Sequence, residues 1–263
     1  MLTSPKLRSS SCLALLALLG ACSAPRLEVM PRVQQAKLGG TIGASTTGMS
    51  IPDNDVSSDL GLGQTSSEFG GRADLSFAAG TWTFAYAPAS FSGSGTLNAD
   101  ITNGGVTIPA GTAVDSSVKM DIGSVLWTHD FIPGDNFELG LGVGAHLLDF
   151  KGTITDGTNT LKFDQSAPVP VLAARAGAAF GPFDVSALLS GMQFKTGSDE
   201  ATFFDADVMG RWRFLGGVDG RLAASLMLGW RKTDVKLDYT DGADHVNADL
   251  NVSGIYYGLS IGF

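Results

Sequence analysis

Histidine is the side chain whose unperturbed pKa puts a proton in play near neutral pH, and this chain has three: His129, His146 and His245. Nucleophilic catalysis needs a nucleophile, a base and an orienting acid within reach of one another. Only His245 has acids close by, Asp244 and Asp241, and it lies in an acidic stretch where such neighbours arise from composition alone. The acids Asp53, Asp55, Asp59, Asp156, Asp241 and Asp244 are of the type that suits a hard divalent cation. However, Asp53-Asn54-Asp55 lacks the rest of a calcium loop, so the plainer reading is a solvated acidic surface and no metal site is expected. Gly140, Gly142 and Gly144 sit in an alternating apolar run with no helix after them, which excludes a dinucleotide-binding turn. No catalytic residue and no cofactor is expected.

A second kind of chemistry is electrostatic. Lys119, Asp121, Glu138, His146, Arg175, Asp205, Asp207, Arg211, Arg213, Arg221 and Arg231 alternate with apolar or small residues and carry both signs. If they face one another inside a narrow enclosure, they either line a small polar pore or solute site, or pair into a plug that fills it. Pairing is favoured, because isolated charges in a dry interior are costly.

The elements that would hold them are strands. Charged residues make up only 16% of the 263, and glycine contributes 35. No apolar run reaches the roughly 18 residues of a transmembrane helix. The hydrophobicity is spread by period-2 alternation. In 137–147, Phe137, Leu139, Leu141, Val143, Ala145 and Leu147 alternate with Glu138, three glycines and His146. Ten such segments are predicted, at about 37–51, 68–79, 81–91, 115–132, 137–147, 161–180, 183–195, 200–214, 221–239 and 246–263. Beyond Trp230 the apolar phase flips to Val235, Leu237 and Tyr239. Pro168 and Pro170 predict a bend or bulge in the sixth segment. Connections alternate between short turns, at Gly80, 133–136, 181–182 and 215–220, and longer loops, the longest being 92–114.

The N-terminus reads differently. Lys6 and Arg8 precede a short apolar stretch ending in Leu19-Gly20-Ala21-Cys22, so 1–21 is expected to be an export signal. The last four residues resemble a bacterial lipobox, which implies lipidation of Cys22; ordinary signal cleavage is the alternative. Residues 22–36, with Pro25 and Pro31, lack alternation and are expected to be a periplasmic tether before a barrel over 37–263.

These features converge on an all-β, closed antiparallel transmembrane β-barrel of about ten strands, with eight as the alternative. Aromatic residues fall near the short turns and again about ten residues along, among them Phe91, Phe150, Phe163, Phe194, Phe204 and Trp230. A tilted strand of that length spans roughly 25 Å of apolar membrane. The last strand carries large apolar residues at Ile255, Tyr257, Leu259, Ile261 and Phe263 and small ones between them. Tyr256, Gly258, Ile261 and Phe263 resemble the C-terminal signal read by the outer-membrane barrel assembly machinery. From Asp115 onward the chain also resembles a family of small Gram-negative outer-membrane barrels of unassigned function. The resemblance rests on the acidic stretch with Asp241, Asp244 and Asp249, the ending Tyr256-Tyr257-Gly258-Leu259-Ser260-Ile261-Gly262-Phe263, and Ala167-Pro168-Val169-Pro170 with Arg175.

That resemblance implies residence in the outer membrane, with lipid and lipopolysaccharide as neighbours, and no activity. Lipid A deacylases of barrel fold carry a serine two residues from the histidine, where this chain has Phe131, Leu148 and Asn247. The expected role is structural or narrow solute passage; a lipid-modifying enzyme or a surface adhesin are the alternatives. A net charge of -9 excludes nucleic acid as a natural partner.

Overall fold

The computed structural model describes residues 25–46, 49–103, 105–132, 136–196, 199–216, 222–241 and 244–263. The ordered elements are strands: β1 (Arg26–Thr46), β2 (Met49–Asp55), β3 (Ser66–Phe77), β4 (Gly80–Thr96), β5 (Ile101–Asn103), β6 (Val106–Ile108), β7 (Ala113–Ile132), β8 (Phe137–Thr155), β9 (Thr160–Phe180), β10 (Phe183–Thr196), β11 (Asp199–Leu215), β12 (Ala223–Asp241) and β13 (Asp244–Gly262). Ten of them form a closed antiparallel barrel in the order β1, β3, β4, β7, β8, β9, β10, β11, β12, β13, and β13 pairs back onto β1. Closure removes the unpaired edges that an open sheet would expose. The amide of Phe263 donates to Leu27 O at 2.8 Å, which holds the last residue beside the start of β1.

The barrel has two storeys. Strands of 19 to 21 residues, such as β8 and β9, are about twice what a bilayer needs. In the storey near the termini, the outer face is apolar and the inner face polar. On β8 the exposed residues are Leu139, Leu141, Val143 and Leu147, while His146 is buried inside. Further along the same strand the pattern inverts. Asp149 and Lys151 are on the outside, whereas Leu148, Phe150 and Ile154 pack inward. β7 inverts between Val125 and Asp121, and β13 between Ile255 and Ser253, with Val252 and Leu250 buried. The phase change beyond Trp230 has the same cause. The β12–β13 ladder is regular from Ala223 to Asp241, so the backbone does not slip. Apolar residues move to the inner face where the strand leaves lipid and its outside meets water.

This inversion corrects three expectations. Lys119 and Asp121 do not face the lumen: they form an ion pair at 3.0 Å on the outer face, with Lys119 54% exposed. Phe91, Phe150 and Phe163 are interior residues of the upper storey, not rim aromatics; Phe204 and Trp230 are exposed. Finally, residues 26–36 are no tether. They are the lower half of β1, paired with β13 through Glu28↔Gly262 and with β3 through Arg26↔Ser76. Leu27, Val29 and Val33 on the outer face alternate with Glu28, Arg32 and Gln34 on the inner one, a pattern masked by Met30 on the inner face and by Pro25 and Pro31. The expected first strand over 37–51 is the upper half of β1, followed by part of β2. The proposed signal, including Cys22, lies outside the described residues.

The prolines break pairing on one side only. At Pro168 and Pro170 the β8–β9 ladder continues without a register shift, whereas pairing of β9 with β10 ends at Leu172↔Gly191. There is thus no bulge against β8; the strand gives up one neighbour, because proline has no amide to donate. Pro88 keeps its place against β7, and β3–β4 pairing ends just before it at Gly71↔Tyr86. Above that point β2 replaces β3 beside β1. β5 and β6 extend this sheet from β2. Asn103 Nδ2 then reaches Lys162 O on β9, which lies opposite β1 in the ring. The small sheet therefore arches over the mouth farthest from the termini.

Candidate functional site

The inner face of the lower storey is a network of paired charges. Short strand-to-strand spacing places alternate side chains of facing strands within reach in so narrow a barrel. Arg72 and Asp74 stand two apart on β3, and the guanidinium binds its own strand's carboxylate bidentately at 2.9 and 2.7 Å. Thr83 donates to Asp74 at 2.8 Å. From across the lumen, Arg175 donates to Asp74 and to Glu138, each at 3.0 Å. A second group joins Arg32 to Asp207 at 2.8 Å, with the Tyr256 hydroxyl on the other carboxylate oxygen. The guanidinium of Arg32 lies 4.3 Å from the Tyr256 ring centroid, a cation–π contact between residues that are almost wholly buried. Arg231 and Thr233 both donate to Asp205, at 2.8 and 2.6 Å. Near the termini Arg211 bridges Glu28 and Asp184, and Ser260 also donates to Glu28.

His146 bridges two hydroxyls. Its Nδ1 is 2.8 Å from Ser124 Oγ and its Nε2 is 2.8 Å from Ser190 Oγ. A neutral imidazole satisfies both by donating from one nitrogen and accepting at the other. Phe203 packs against the ring at 4.7 Å. Among the described residues no carboxylate hydrogen-bonds to His146, whose two ring nitrogens are taken by the hydroxyls, and the histidine is 1% exposed. The group behaves as a satisfied polar bridge.

Among and above the charges the lumen is filled with apolar side chains. Met30, Met209 and Met227 pack with Tyr256 between the Glu28–Arg211 and Arg32–Asp207 pairs. Leu126, Val171, Leu188 and Phe203 form a further cluster. The upper storey is filled by Leu38, Phe91, Met120, Ile122 and Leu250 from the walls, together with Val56, Leu60, Leu62, Leu97, Ile101 and Ile108 from the arching segments. A cavity of about 510 Å3 opens at the end near the termini, lined by Glu28, Asp130, Glu138, Arg211 and Arg213 among others.

Of the charged residues singled out from sequence, Glu138, His146, Arg175, Asp205, Asp207, Arg211 and Arg231 come together inside, and Arg213 lines the terminal cavity. Arg221 lies outside the described residues. Glu28, Arg32, Arg72, Asp74 and Asp184 were not anticipated. Arg72 and Asp74 alternate with Phe69, Gly71, Ala73 and Leu75, and Asp184 stands between Phe183 and Val185, so the period-2 signal was present. Tyr256 was read only as part of the terminal signal. Its ring instead fills the lumen beside the small residues of β13. Gly229 on β12 makes room for it: a Cβ there would sit 2.2 Å from Tyr256 Cζ. The loop acids are bound by their own turns. Asp55 accepts the Ser57 and Ser58 amides, and Asp156 those of Thr158 and Asn159. Among the described residues no group of acids, histidines or cysteines is arranged to hold a metal ion.

A closed barrel with lipid-type outer and polar inner faces defines the class: the fold is that of the outer-membrane β-barrels. No protein-family profile matches the sequence, and no curated protein matches it. The chain is similar in structure to the outer membrane protease OmpT from Escherichia coli, with a TM-score of 0.54, 9% identity, and coverage of 91% of this chain and 96% of that one. A Pseudomonas aeruginosa FadL homologue matches at 0.34 with 10% identity over 91% of this chain and 90% of its own. The transport unit of the Escherichia coli autotransporter AIDA-I matches at 0.35 with 9% identity over 95% and 96%. At such identities the likeness speaks for fold alone.

Proposed function

We propose that this protein is a sealed, non-enzymatic barrel of the Gram-negative outer membrane, with a structural or surface-presenting role. The observation that carries this reading is the filling of the lumen among the described residues, with ion pairs and a methionine–tyrosine cluster in the lower storey and an apolar core in the upper. Its neighbours are outer-membrane lipid and lipopolysaccharide. The ending with Tyr256, Gly258, Ile261 and Phe263 addresses it to the barrel assembly machinery, and Cys22 is its lipidation site after removal of 1–21. Membrane fractionation with heat-modifiable gel mobility tests the location: recovery in the soluble periplasmic fraction overturns it. Palmitate labelling of wild type and Cys22→Ala tests the anchor, and equal labelling rules it out.

A second reading, a lipid-modifying enzyme, is favoured by the 2.8 Å contact between Ser124 and His146. It predicts altered lipid A in a mass spectrum of cells expressing the protein, abolished by His146→Ala. The absence of a carboxylate partner weighs against it.

A further inference from the structure

Among the described residues most charges on the inner face are paired. Three that are not line the cavity of about 510 Å3 near the termini. Asp130 on β7 is the first. Thr81 stands beside its carboxyl, yet Oδ1 is buried without a hydrogen-bond partner. Arg175, which also lines the cavity, is committed to Asp74 and Glu138. Arg213 on β11 and Arg26 on β1 are the other two. Neither makes an ion pair among the described residues, whereas Arg211 beside them bridges Glu28 and Asp184. Ser186 on β10 faces the same cavity; it is 4% exposed and its hydroxyl has no partner. Leaving a buried polar group without a hydrogen bond is costly, so these atoms mark where something polar belongs.

The strand order sets the unpaired groups across from one another. Asp130 and Glu138 are on adjacent strands, β7 and β8. Arg213 and Arg26 flank the opposite arc, with β12 and β13 between them. The inner wall between the two arginines is built of small residues, Ser225 opposite Ser260 and Ala223 opposite Gly262. Ten strands about 4.8 Å apart and tilted by about 40° enclose a ring roughly 20 Å across between backbones. Asp130 is therefore too far from the arginines to pair with them, unlike the charges deeper in the lumen. Side chains reaching in from both walls leave roughly 10 Å between the opposed charges, the span of two or three extended residues.

We infer that this cavity binds a short peptide with both ends free, two or three residues long. Its ammonium meets Asp130, its carboxylate meets Arg213 and Arg26, and a peptide group between them meets Ser186. A simple anion or cation would leave the opposite charge unanswered, and a single amino acid is too short to reach both walls. Charge-assisted hydrogen bonds at the two ends fix the direction of the chain. The volume is in the range of sites for small molecules. The inference goes beyond the outer-membrane reading and rests on it only for the compartment, the periplasm, that supplies the peptide.

The test is isothermal titration calorimetry of refolded full-length protein in detergent with trialanine, N-acetyl-trialanine, trialanine amide and alanine. Trialanine should bind with one site per barrel. Blocking either end should weaken binding by about tenfold or more, because a hydrogen bond to a charged group is lost. Alanine should not compete. Asp130→Asn should erase the difference between trialanine and its acetylated form while keeping the difference from the amide. Arg213→Gln with Arg26→Gln should do the reverse, with Arg213→Gln alone as the second variant should the pair fail to fold. Ser186→Ala should weaken every form alike, and Asp156→Asn, at the opposite mouth, should change nothing. Heat-modifiable mobility of each sample shows which variants are folded. Equal affinity for free and blocked peptides overturns the inference, as does absence of binding by folded wild-type protein, or alanine binding as well as trialanine. Recovery of the protein in the soluble fraction of cells overturns the outer-membrane reading and leaves the calorimetry as it stands.

Discussion

At the residue scale the interior is governed by the cost of unpaired charge. Asp207 serves Arg32 and Tyr256 at once, and its buried partners have no water to turn to. Asp207→Ala should therefore cost about 3–5 kcal/mol in guanidinium unfolding from lipid vesicles. Converting the pair together, Arg32→Met with Asp207→Leu, should recover much of that loss, since removing both charges also removes the desolvation cost. Lys119→Ala, on the water-exposed outer face, should cost less than about 1 kcal/mol. In the turns outside the membrane, the Asn159 and Thr158 amides hold the Asp156 carboxyl below its usual range, and the Ser58 and Ser57 amides do the same for Asp55. A carboxyl depressed in the folded state stabilises it above the unfolded pKa, and that contribution disappears as pH falls through the folded value. Amide exchange at the β8–β9 tip should thus stay slow through mildly acid pH and accelerate only below the ordinary carboxylate range; Asp156→Asn should make it fast at neutral pH too. Legibility at this scale depended on which storey a residue occupies. Alternation gave Asp205, Asp207 and Arg231 their inner face, but the same argument failed for Lys119 and Asp121. Above the lipid, the polar face is the outer one.

At the element scale, existence was easier to read than extent. Nine of the ten barrel strands have a strong alternating stretch where lipid covers them, from the second at 68–79 to the last. The lower half of β1 is hard to read because Met30 puts an apolar residue on its polar inner face and Pro31 interrupts the outer one, although Leu27, Val29 and Val33 do alternate with Glu28, Arg32 and Gln34. In the arch, β5 and β6 lie inside the long 92–114 loop, where three-residue strands leave no periodicity to detect. β2 is a seven-residue strand that straddles the end of the expected first strand and the polar loop after it. The hold of the arch on the barrel is apolar: Leu97, Ile101 and Ile108 are almost wholly buried under it. Ile101→Asp places an unpaired carboxylate in that core at a cost of several kcal/mol. Limited proteolysis within 97–112 should increase in this variant, while heat-modifiable mobility of the barrel persists. The two storeys bury separate clusters, so loss of the upper seal need not unfold the lower wall. The last strand behaves differently. Phe263→Ala should lower the amount of assembled barrel in the membrane without changing the stability of the molecules that do assemble by more than about 1–2 kcal/mol, because Phe263 is 58% exposed.

At the scale of the whole molecule, one chain combines two solvent regimes. Near the termini it is built for lipid, with its apolar residues outside and its charges paired within. Farther along the same strands it is built for water, with charged residues outside and an apolar core within. The change occurs along the strands without a register shift in β12–β13, so one continuous ladder serves both regimes. A sequence reader sees the change as a flip of phase, as after Trp230, and its meaning emerges only when the lumen's contents are known. The central claim is that this stacking of ion pairs and apolar core seals the lumen. Planar-bilayer recording on purified, refolded full-length protein tests it most directly. The account predicts a silent barrel in wild type and unitary currents in a variant combining Ile101→Asp with Asp207→Ala and Arg32→Ala; steady unitary currents from the wild-type protein would contradict it.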